Sequence, residues 1–286
     1  MATSINIVAG RVTAVKIFGQ ATGAIAATEV QNAVAPLIFS WSSSAEATDI
    51  IDNTLSAKTG LKAGVYRLSV TDALHRVAFM TYTVKSNKRL HIYPGQVKNV
   101  QIYGEHTGFI ENVSIGGGDG NYTIYWTADS VTPILDHTVR PKLYLAAANY
   151  VLSVIDGVGA NANYTFVITQ TDQLSLYPAA TKNAPIFGER GGSVAETLIS
   201  GGTAPYDFFW TSNLMSTSKA VVPLIHESDG TKSYMVPDLH KLIPDIYLLT
   251  VSDAWGAVVQ HSYKINEGPD KIYYAFGSSS NFSNNN

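Results

Sequence analysis

The amino-acid sequence repeats one pattern three times, and this repeat limits the possible folds more than any other feature. Each copy opens with an isoleucine, an aromatic residue and a glycine, at residues 17–19, 102–104 and 186–188. A tryptophan follows in each copy, the second 85 residues after the first and the third 84 residues after the second (Trp41, Trp126 and Trp210). Because repeats are the units that fold, we predict three modules of about 80 to 100 residues instead of one large domain.

The domain boundaries are predicted from the linkers between the copies. We place the modules at residues 1–87, 88–171 and 172–268, followed by a terminal strand and polar tail at 269–286. The short linkers predict that the modules stack end to end as a semi-rigid rod. The third copy is longer than the others between its tryptophan and its closing tyrosine, which indicates an insertion at about 211–244. An insertion on one module of a regular array is a suitable place for specific contacts.

The copies have the alternating pattern of β-strands. In the closing segment of the first copy, Tyr66, Leu68 and Val70 alternate with polar residues, as expected for a strand with one buried face. Aspartate-containing turns follow this segment in each copy, and a last strand follows the turn. Residues 56–61 and 237–242 are each compatible with a short helical turn. The remaining pattern predicts an all-β chain.

Two recurring residues indicate an immunoglobulin-like β-sandwich. A tryptophan ends an early central strand, and a tyrosine lies two positions before an aliphatic residue near the end of each copy. This second feature is the pattern of a tyrosine corner. We therefore predict three tandem immunoglobulin-like (Ig-like) β-sandwich domains, and we assign to their cores Trp41, Trp126, Trp210, Tyr66, Tyr150 and Tyr247.

Two segments resemble a known repeat family. Residues 199–210 (ISGGTAPYDFFW) and residues 61–73 (LKAGVYRLSVTDA) are similar to the two halves of SprB-type repeats. The second copy keeps three glycines at 116–118, whereas the first copy has Gln-Asn-Ala at 31–33, and the family's usual cysteine is missing from all three copies. The resemblance implies PKD-like and Ig-like modules of the kind found in large bacterial surface adhesins, where they act as spacers and binding modules.

Composition and charge argue against several classes of partner. The formal net charge is −3 and there is no cysteine, so the sequence shows neither the basic footprint of a nucleic-acid-binding protein nor a disulfide framework. No stretch is long and apolar enough for a membrane span, and no signal peptide is visible at the N-terminus. We expect no nucleic-acid binding and no membrane insertion. The N-terminus fits either synthesis without Sec export or the replacement of a leader, and we prefer the first interpretation.

No catalytic or metal-binding motif is visible. The seven histidines show no zinc-ligand spacing, and the cluster of His226, Glu227 and Asp229 is a weak candidate for a metal site. The aspartates in the closing turns are too few per turn for calcium, so a turn role is preferred. We therefore predict a protein that is not an enzyme and uses neither a cofactor nor a metal.

The leading functional hypothesis is a structural protein of a virus or phage particle, as a decoration, fibre or minor capsid component located in the virion. The alternative, favoured by the SprB resemblance, is a bacterial cell-surface adhesin or extracellular filament subunit. A carbohydrate-binding module is a third possibility, based on the aromatic residues Trp255 and Tyr273. Expected partners are other structural proteins, further copies of the chain or cell-surface glycans. The predicted interaction residues are His226, Glu227, Asp229, Tyr234, Tyr273, Tyr274 and Phe276.

Overall fold

The protein is described here from a computed structural model, over residues 4–44, 46–50, 52–129, 134, 136–213, 216–220, 223–225 and 232–269. Within these ranges every regular element is a β-strand, which confirms the predicted all-β class. The chain forms two compact units, one containing Met1–Lys98 with Gly108–Ile168 and the other containing Asn99–Thr107 with Thr169–Asn286. The three-module boundaries stay a prediction, although every described strand ladder joins strands of one copy.

The first copy contains eight strands in three small sheets. They are β1 (Asn6–Val8), β2 (Val12–Thr13), β3 (Gly23–Ile25), β4 (Glu29–Gln31), β5 (Ile38–Ser43), β6 (Lys58–Leu61), β7 (Gly64–Thr71) and β8 (Val77–Val84). The sheets have the orders β1-β4, β2-β3-β6 and β5-β7-β8. All ladders are antiparallel, and β7 pairs with β8 along its whole length.

The second copy has the same topology. Its strands are β9 (Lys88–Tyr93), β10 (Gln96–Lys98), β11 (Gly108–Glu111), β12 (Ser114–Gly118), β13 (Tyr122–Ala128), β14 (Lys142–Leu145), β15 (Ala148–Asp156) and β16 (Asn161–Ile168). Their orders are β9-β12, β10-β11-β14 and β13-β15-β16, which match the first copy strand for strand.

The third copy extends this topology with additional strands. Its strands are β17 (Ser175–Tyr177), β18 (Thr181–Lys182), β19 (Gly192–Val194), β20 (Thr197–Ser200), β21 (Asp207–Thr211), β22 (Ser216–Ala220), β23 (Pro223–Ile225), β24 (Lys232–Val236), β25 (Leu239–Leu242), β26 (Asp245–Ser252) and β27 (Val258–Ile265). Strand β22 lies beside β21, and β23 with β24 extends the sheet of β17 and β20. The predicted insertion at about 211–244 therefore contains sheet-forming residues.

The core of each copy lies between its sheets. In the first copy, Ile7 of β1 and Ile25 of β3 belong to the same buried cluster as Leu68 of β7 and Val84 of β8. This is the layout of a sandwich, in which two sheets bury the alternate residues of their strands against each other. Together with the repeated topology, it confirms the Ig-like sandwich prediction.

The three tryptophans are buried in equivalent positions. Each packs against the aromatic ring that lies two residues before the end of the last strand, with ring centroids 5.4 to 5.6 Å apart. The indole nitrogens of Trp41 and Trp126 donate hydrogen bonds to the carbonyls of Thr54 and Thr138. The polar atom of these two large side chains is therefore satisfied inside the core.

A tyrosine corner is present in every copy. The hydroxyl of Tyr66 donates to the carbonyl of Lys62 at 2.8 Å, and Tyr150 and Tyr247 make the same bond to the residue four positions earlier, each at 3.0 Å. These tyrosines are fully buried, and burial raises the pKa of Tyr247. The corner fixes the chain before strands β7, β15 and β26.

A buried polar pair differs between copies in a correlated way. The hydroxyls of Thr28 and Tyr82 lie 2.7 Å apart in the first core, and Thr197 and Tyr263 form the same pair at 2.9 Å in the third. The equivalent residues of the second copy are both apolar, Val113 and Phe166, and both are buried. A buried hydroxyl requires a partner, so the pair is kept or lost together.

In each copy the segment just after the second strand is hydrogen-bonded to the segment just after the last strand, a contact here called the terminal clamp. In the first copy the amide of Val15 donates to Lys85 at 2.8 Å, and Val15 bridges Ser86 in parallel. The same hydrogen bond joins Val100 to Thr169 and Ala184 to Asn266, and Val100 also bridges Gln170 in parallel. Each clamp involves the residues that directly follow the last strand of its copy.

The two predicted helical turns are wrong. Residues 56–61 contain β6 and residues 237–242 contain β25, and each strand pairs with a neighbour in its own copy. In both ladders the register shifts by a β-bulge, and the third residue of the short strand has a positive φ. The pairing partner lies more than 30 residues away, so tertiary contacts overrode a weak local preference.

Candidate functional site

Most of the predicted interaction residues lie outside the described part of the chain. This applies to His226, Glu227, Asp229, Tyr273, Tyr274 and Phe276. Tyr234 is described: it lies on β24, is half-buried, and packs edge-to-face against Tyr206 with ring centroids 4.8 Å apart. In the structure Tyr234 is therefore part of the packing of the third core.

The recurring aspartates organise the turn before the last strand. In the first copy one carboxylate oxygen of Asp72 accepts the amides of Leu74 and Arg76, and the other accepts the amide of Val34. Asp156 and Asp253 accept the equivalent three amides in their own copies. Each aspartate therefore ties two loops of one copy together through hydrogen bonds from backbone amides.

The first copy adds a cation to this arrangement. Burial alone would raise the pKa of Asp72, but the Arg76 side chain and the three amides outweigh it and lower the pKa to about 2. The guanidinium of Arg76 also reaches the carbonyl of Asn32, which extends the link to the neighbouring loop. The ionised carboxylate is thus the stable form of this turn at neutral pH.

A buried lysine lies next to the tryptophan in the first two copies. The Lys58 ammonium lies 5.9 Å from the centroid of the Trp41 ring and 2.7 Å from the Asp52 carboxylate. Lys142 has the equivalent contacts with Trp126, at 5.8 Å, and Asp136, at 2.8 Å. The hydrogen bond from the lysine is the main reason for the lowered pKa of each aspartate.

The third copy lacks this ion pair. Its residue in the position of Lys58 is Leu239, the first residue of β25 as Lys58 is of β6. We did not predict this network, although the spacing Asp-x-Thr-x-x-x-Lys at 52–58 and 136–142 was visible in the sequence. Because the third copy has a leucine in place of the lysine, we infer that the network contributes to core packing. It takes part in no chemistry shared by the three copies.

The repeated opening segment forms an exposed turn. The amide of Gln20 donates to the carbonyl of Ile17, which closes a four-residue turn, and the same bond recurs at 102–105 and 186–189. The third residue is Gly19, Gly104 or Gly188, each with a φ between 74° and 81°, a value that a side chain disfavours. The residue before it is aromatic and about half exposed in each copy: Phe18, Tyr103 and Phe187.

Within the first compact unit, the turn of the first copy forms one wall of a cleft, here called the unit-1 cleft. Its other walls are residues 89–92 of β9 and residues 159–164, where β16 begins. The volume is about 440 Å³. The polar lining side chains are Gln20, Arg89, His91, Asn161 and Asn163, and the aromatic ones are Phe18 and Tyr164.

The second compact unit contains the corresponding cleft, here called the unit-2 cleft. Ile102 and Tyr103 of the second turn face residues 171–174 and the turn that contains Asp253. Its volume is about 190 Å³, less than half that of the unit-1 cleft. The turn therefore builds a cleft twice, with different lining residues.

Two general features of the described residues bear on metals and membranes. Over the described ranges, no group of three or more histidine, aspartate or glutamate side chains is placed to hold a metal ion. Over the same ranges, no helix has the length and apolar character needed to cross a bilayer.

Comparison with known proteins gives no family assignment. No protein-family model matches the chain, and no curated protein matches it. The similarity to SprB-type repeats therefore stays a resemblance of two segments.

Several solved structures are similar to the chain at low identity. The I-band fragment I67–I69 from titin is 12% identical, with a TM-score of 0.37 over 93% of this chain and 99% of that one. The human desmocollin-1 ectodomain is 12% identical, with a TM-score of 0.39 over 95% of this chain and 60% of that one. A complex of Dpr2 Ig1–Ig2 with DIP-Theta Ig1–Ig3 is also 12% identical, with a TM-score of 0.33. Because these scores are low, the fold assignment rests on the strand pairing and core packing of this chain.

Proposed function

We propose that the chain is a non-enzymatic structural protein of a virus or phage particle, a decoration, fibre or minor capsid component built from tandem Ig-like modules. The observation that supports this most is the threefold repetition of internal scaffold contacts. Each copy has its own tyrosine corner, aspartate turn and terminal clamp, and none uses a disulfide because the chain has no cysteine. Modules that hold themselves together in this way suit an array that displays its loops.

The second candidate is a bacterial surface adhesin or filament subunit, and one structural observation favours it. In the segment that resembles SprB repeats, Gly201 has a φ of 69°, and a side chain there would come within 2.0 Å of the carbonyl oxygen of Gln173. The hydroxyl of Tyr206 donates to the carbonyl of Gly201 at 2.7 Å. The resembling residues therefore have structural roles that a related repeat would share.

Immunogold labelling separates the two candidates. Antibodies raised against the purified chain are applied to purified particles from the source and, in parallel, to intact host cells. Label on particles and not on uninfected cells is the expected result. Label on the surface of uninfected cells would favour the adhesin, and label on neither would contradict both proposals.

We also propose that residues 271–276 contribute to assembly. These residues lie outside the described part of the chain, and the proposal rests on their similarity to the entry strands at 90–94 and 174–178. An unpaired strand offers backbone donors and acceptors to a neighbouring subunit. Deleting residues 271–286 should abolish co-assembly in a particle-binding or light-scattering assay, whereas deleting 277–286 should not. Normal assembly of the shorter chain would contradict this role.

A further inference from the structure

We propose that the unit-1 cleft is a binding site for a carboxylated saccharide. The inference rests on the cleft itself and holds whether the protein belongs to a particle or to a cell surface. Its volume of about 440 Å³ is within the usual range for small-molecule sites. The cleft is open to solvent, which suits a glycan chain that enters from outside.

The hydrogen-bonding groups of the cleft are free to bind a ligand. Within the described part of the chain, the side chains of Gln20, Arg89, Asn161 and Asn163 make no hydrogen bond or ion pair. Most exposed amides simply bind water, but here three of them converge on one concave surface. An amide group both donates and accepts, which matches the hydroxyl groups of a sugar.

Two aromatic residues, Phe18 and Tyr164, also line the cleft. The side chain of Phe18 is 57% exposed on the turn, and that of Tyr164 is 39% exposed on β16. The exposed Phe18 ring gives the cleft an apolar face for a pyranose ring. Tyr164 lies on the opposite face of β16 from Asn161 and Asn163. It packs on Phe166, with ring centroids 4.7 Å apart. Edge strands β9 and β16 both line the cleft, so an extended peptide is the competing ligand. The peptide in the test below distinguishes the two.

The charges of the lining select for an anion. The basic side chains of the lining are those of Arg89 and His91, and the lining contains no carboxylate. The planar guanidinium of arginine binds a carboxylate through two parallel hydrogen bonds. We therefore assign the acidic group of the ligand to Arg89, with the hydroxyls placed against Asn161 and Asn163.

The unit-2 cleft provides an internal comparison. Gln173 holds the position of Arg89, because each directly precedes the buried leucine that begins the entry segment (Leu90 or Leu174). Likewise β27 begins with Val258 where β16 begins with Asn161. The unit-2 lining contains Asp172 and Asp253 and no cationic side chain. The two clefts share the turn, so the features that suit an acidic sugar are specific to the first.

The test uses the full chain on an array of oligosaccharides in which each carboxylated member has a neutral counterpart of the same length. The best-bound member is then titrated by calorimetry. We expect binding to be restricted to carboxylated members and to weaken as salt concentration rises. Arg89→Gln and Asn161→Val each place in the unit-1 cleft the residue that the unit-2 cleft has at the equivalent position. Arg89→Gln should raise Kd at least tenfold, as expected for losing a hydrogen bond to a charged group, and Asn161→Val should raise it severalfold.

The matched control is Arg67→Gln. Arg67 stacks on Phe79 in the first copy, outside the cleft, and its loss changes net charge by the same amount. Its Kd should stay within twofold of the parent. The proposal is overturned if no carboxylated saccharide binds, if neutral counterparts bind equally well, or if Arg89→Gln binds like the parent. Equal binding of a poly-glutamate peptide would also overturn it, because the site would then select charge alone.

Discussion

The Thr28–Tyr82 pair can be tested by converting it to the apolar pair of the second copy. Both side chains are buried, at 5% and 3% exposure, and their hydroxyl oxygens lie 2.7 Å apart. Tyr82→Phe leaves the Thr28 hydroxyl without a partner, and Thr28→Val does the same to Tyr82. Each single change should destabilise the first module by about 1 to 3 kcal/mol.

The double variant should recover most of that loss. With both hydroxyls removed, the core contains the valine and phenylalanine that the second copy already holds at 113 and 166. Replacing both partners by apolar groups of similar shape is nearly neutral, so the coupling energy, which is the loss in the double variant minus the two single losses, should be about −2 to −6 kcal/mol. The packing of the Tyr82 ring on Trp41 is retained by phenylalanine.

Hydrogen exchange measured by mass spectrometry suits this chain, because a protein of several modules does not unfold in one transition. Peptides from β7 and β8 should exchange about 5 to 150 times faster in each single variant and close to the parent rate in the double variant. Tyr164→Phe, at a partly exposed tyrosine, is the control and should change nothing. Additive losses in the double variant would refute the argument.

Three further predictions concern the repeated contacts. Trp126→Ala should lower the free energy of unfolding of the second module by about 3 to 5 kcal/mol and expose β13 and β15 to hydrogen exchange. Tyr125→Ala, on the exposed side of the same strand, should lower it far less. Equal effects would contradict the strand assignment. Because the pKa of Asp72 is lowered to about 2, its contribution to stability is complete above about pH 4 and is lost as the pH falls towards 2. Unfolding measured across that range should show a loss in the first module that Asp72→Asn removes, and an unchanged profile would contradict the role of the carboxylate. Lys142→Leu introduces the residue that the third copy has at Leu239 and should leave the free energy of unfolding, measured with denaturant, nearly unchanged. Asp136→Ala should lower it, because the buried Lys142 ammonium loses its partner. A larger loss in Lys142→Leu than in Asp136→Ala would show that the ion pair itself stabilises the module.

The class of fold was predictable because the repeat supplied three readings of the same pattern. The strand around Trp126 and the strand that begins at the tyrosine corner of Tyr150 each show clear alternation, and their periodicity survives in every copy. The short strands β6 and β25 were not predictable from local sequence. They consist of four residues each and are fixed by pairing with distant strands through a bulge.

The contacts between distant residues were also missed, but comparing the copies could have found some of them. The correlated change from Thr28 and Tyr82 to Val113 and Phe166 is readable from the aligned copies. The unit-1 cleft could not be read in this way, since its lining comes from two copies that meet only in the folded chain.

The terminal clamp has a mechanical consequence. In the first copy, Val15 near the start of the module is bonded to Lys85 at its end, and the side chain of Asn87 donates to the carbonyl of Lys16 at 2.7 Å. The two segments run in the same direction, so tension applied to the ends of the module pulls them past each other in shear. Bonds loaded in shear share the force and break together, whereas the bonds of a hairpin open one after another. A chain of such modules would resist stretching at each clamp before any core strand is disturbed.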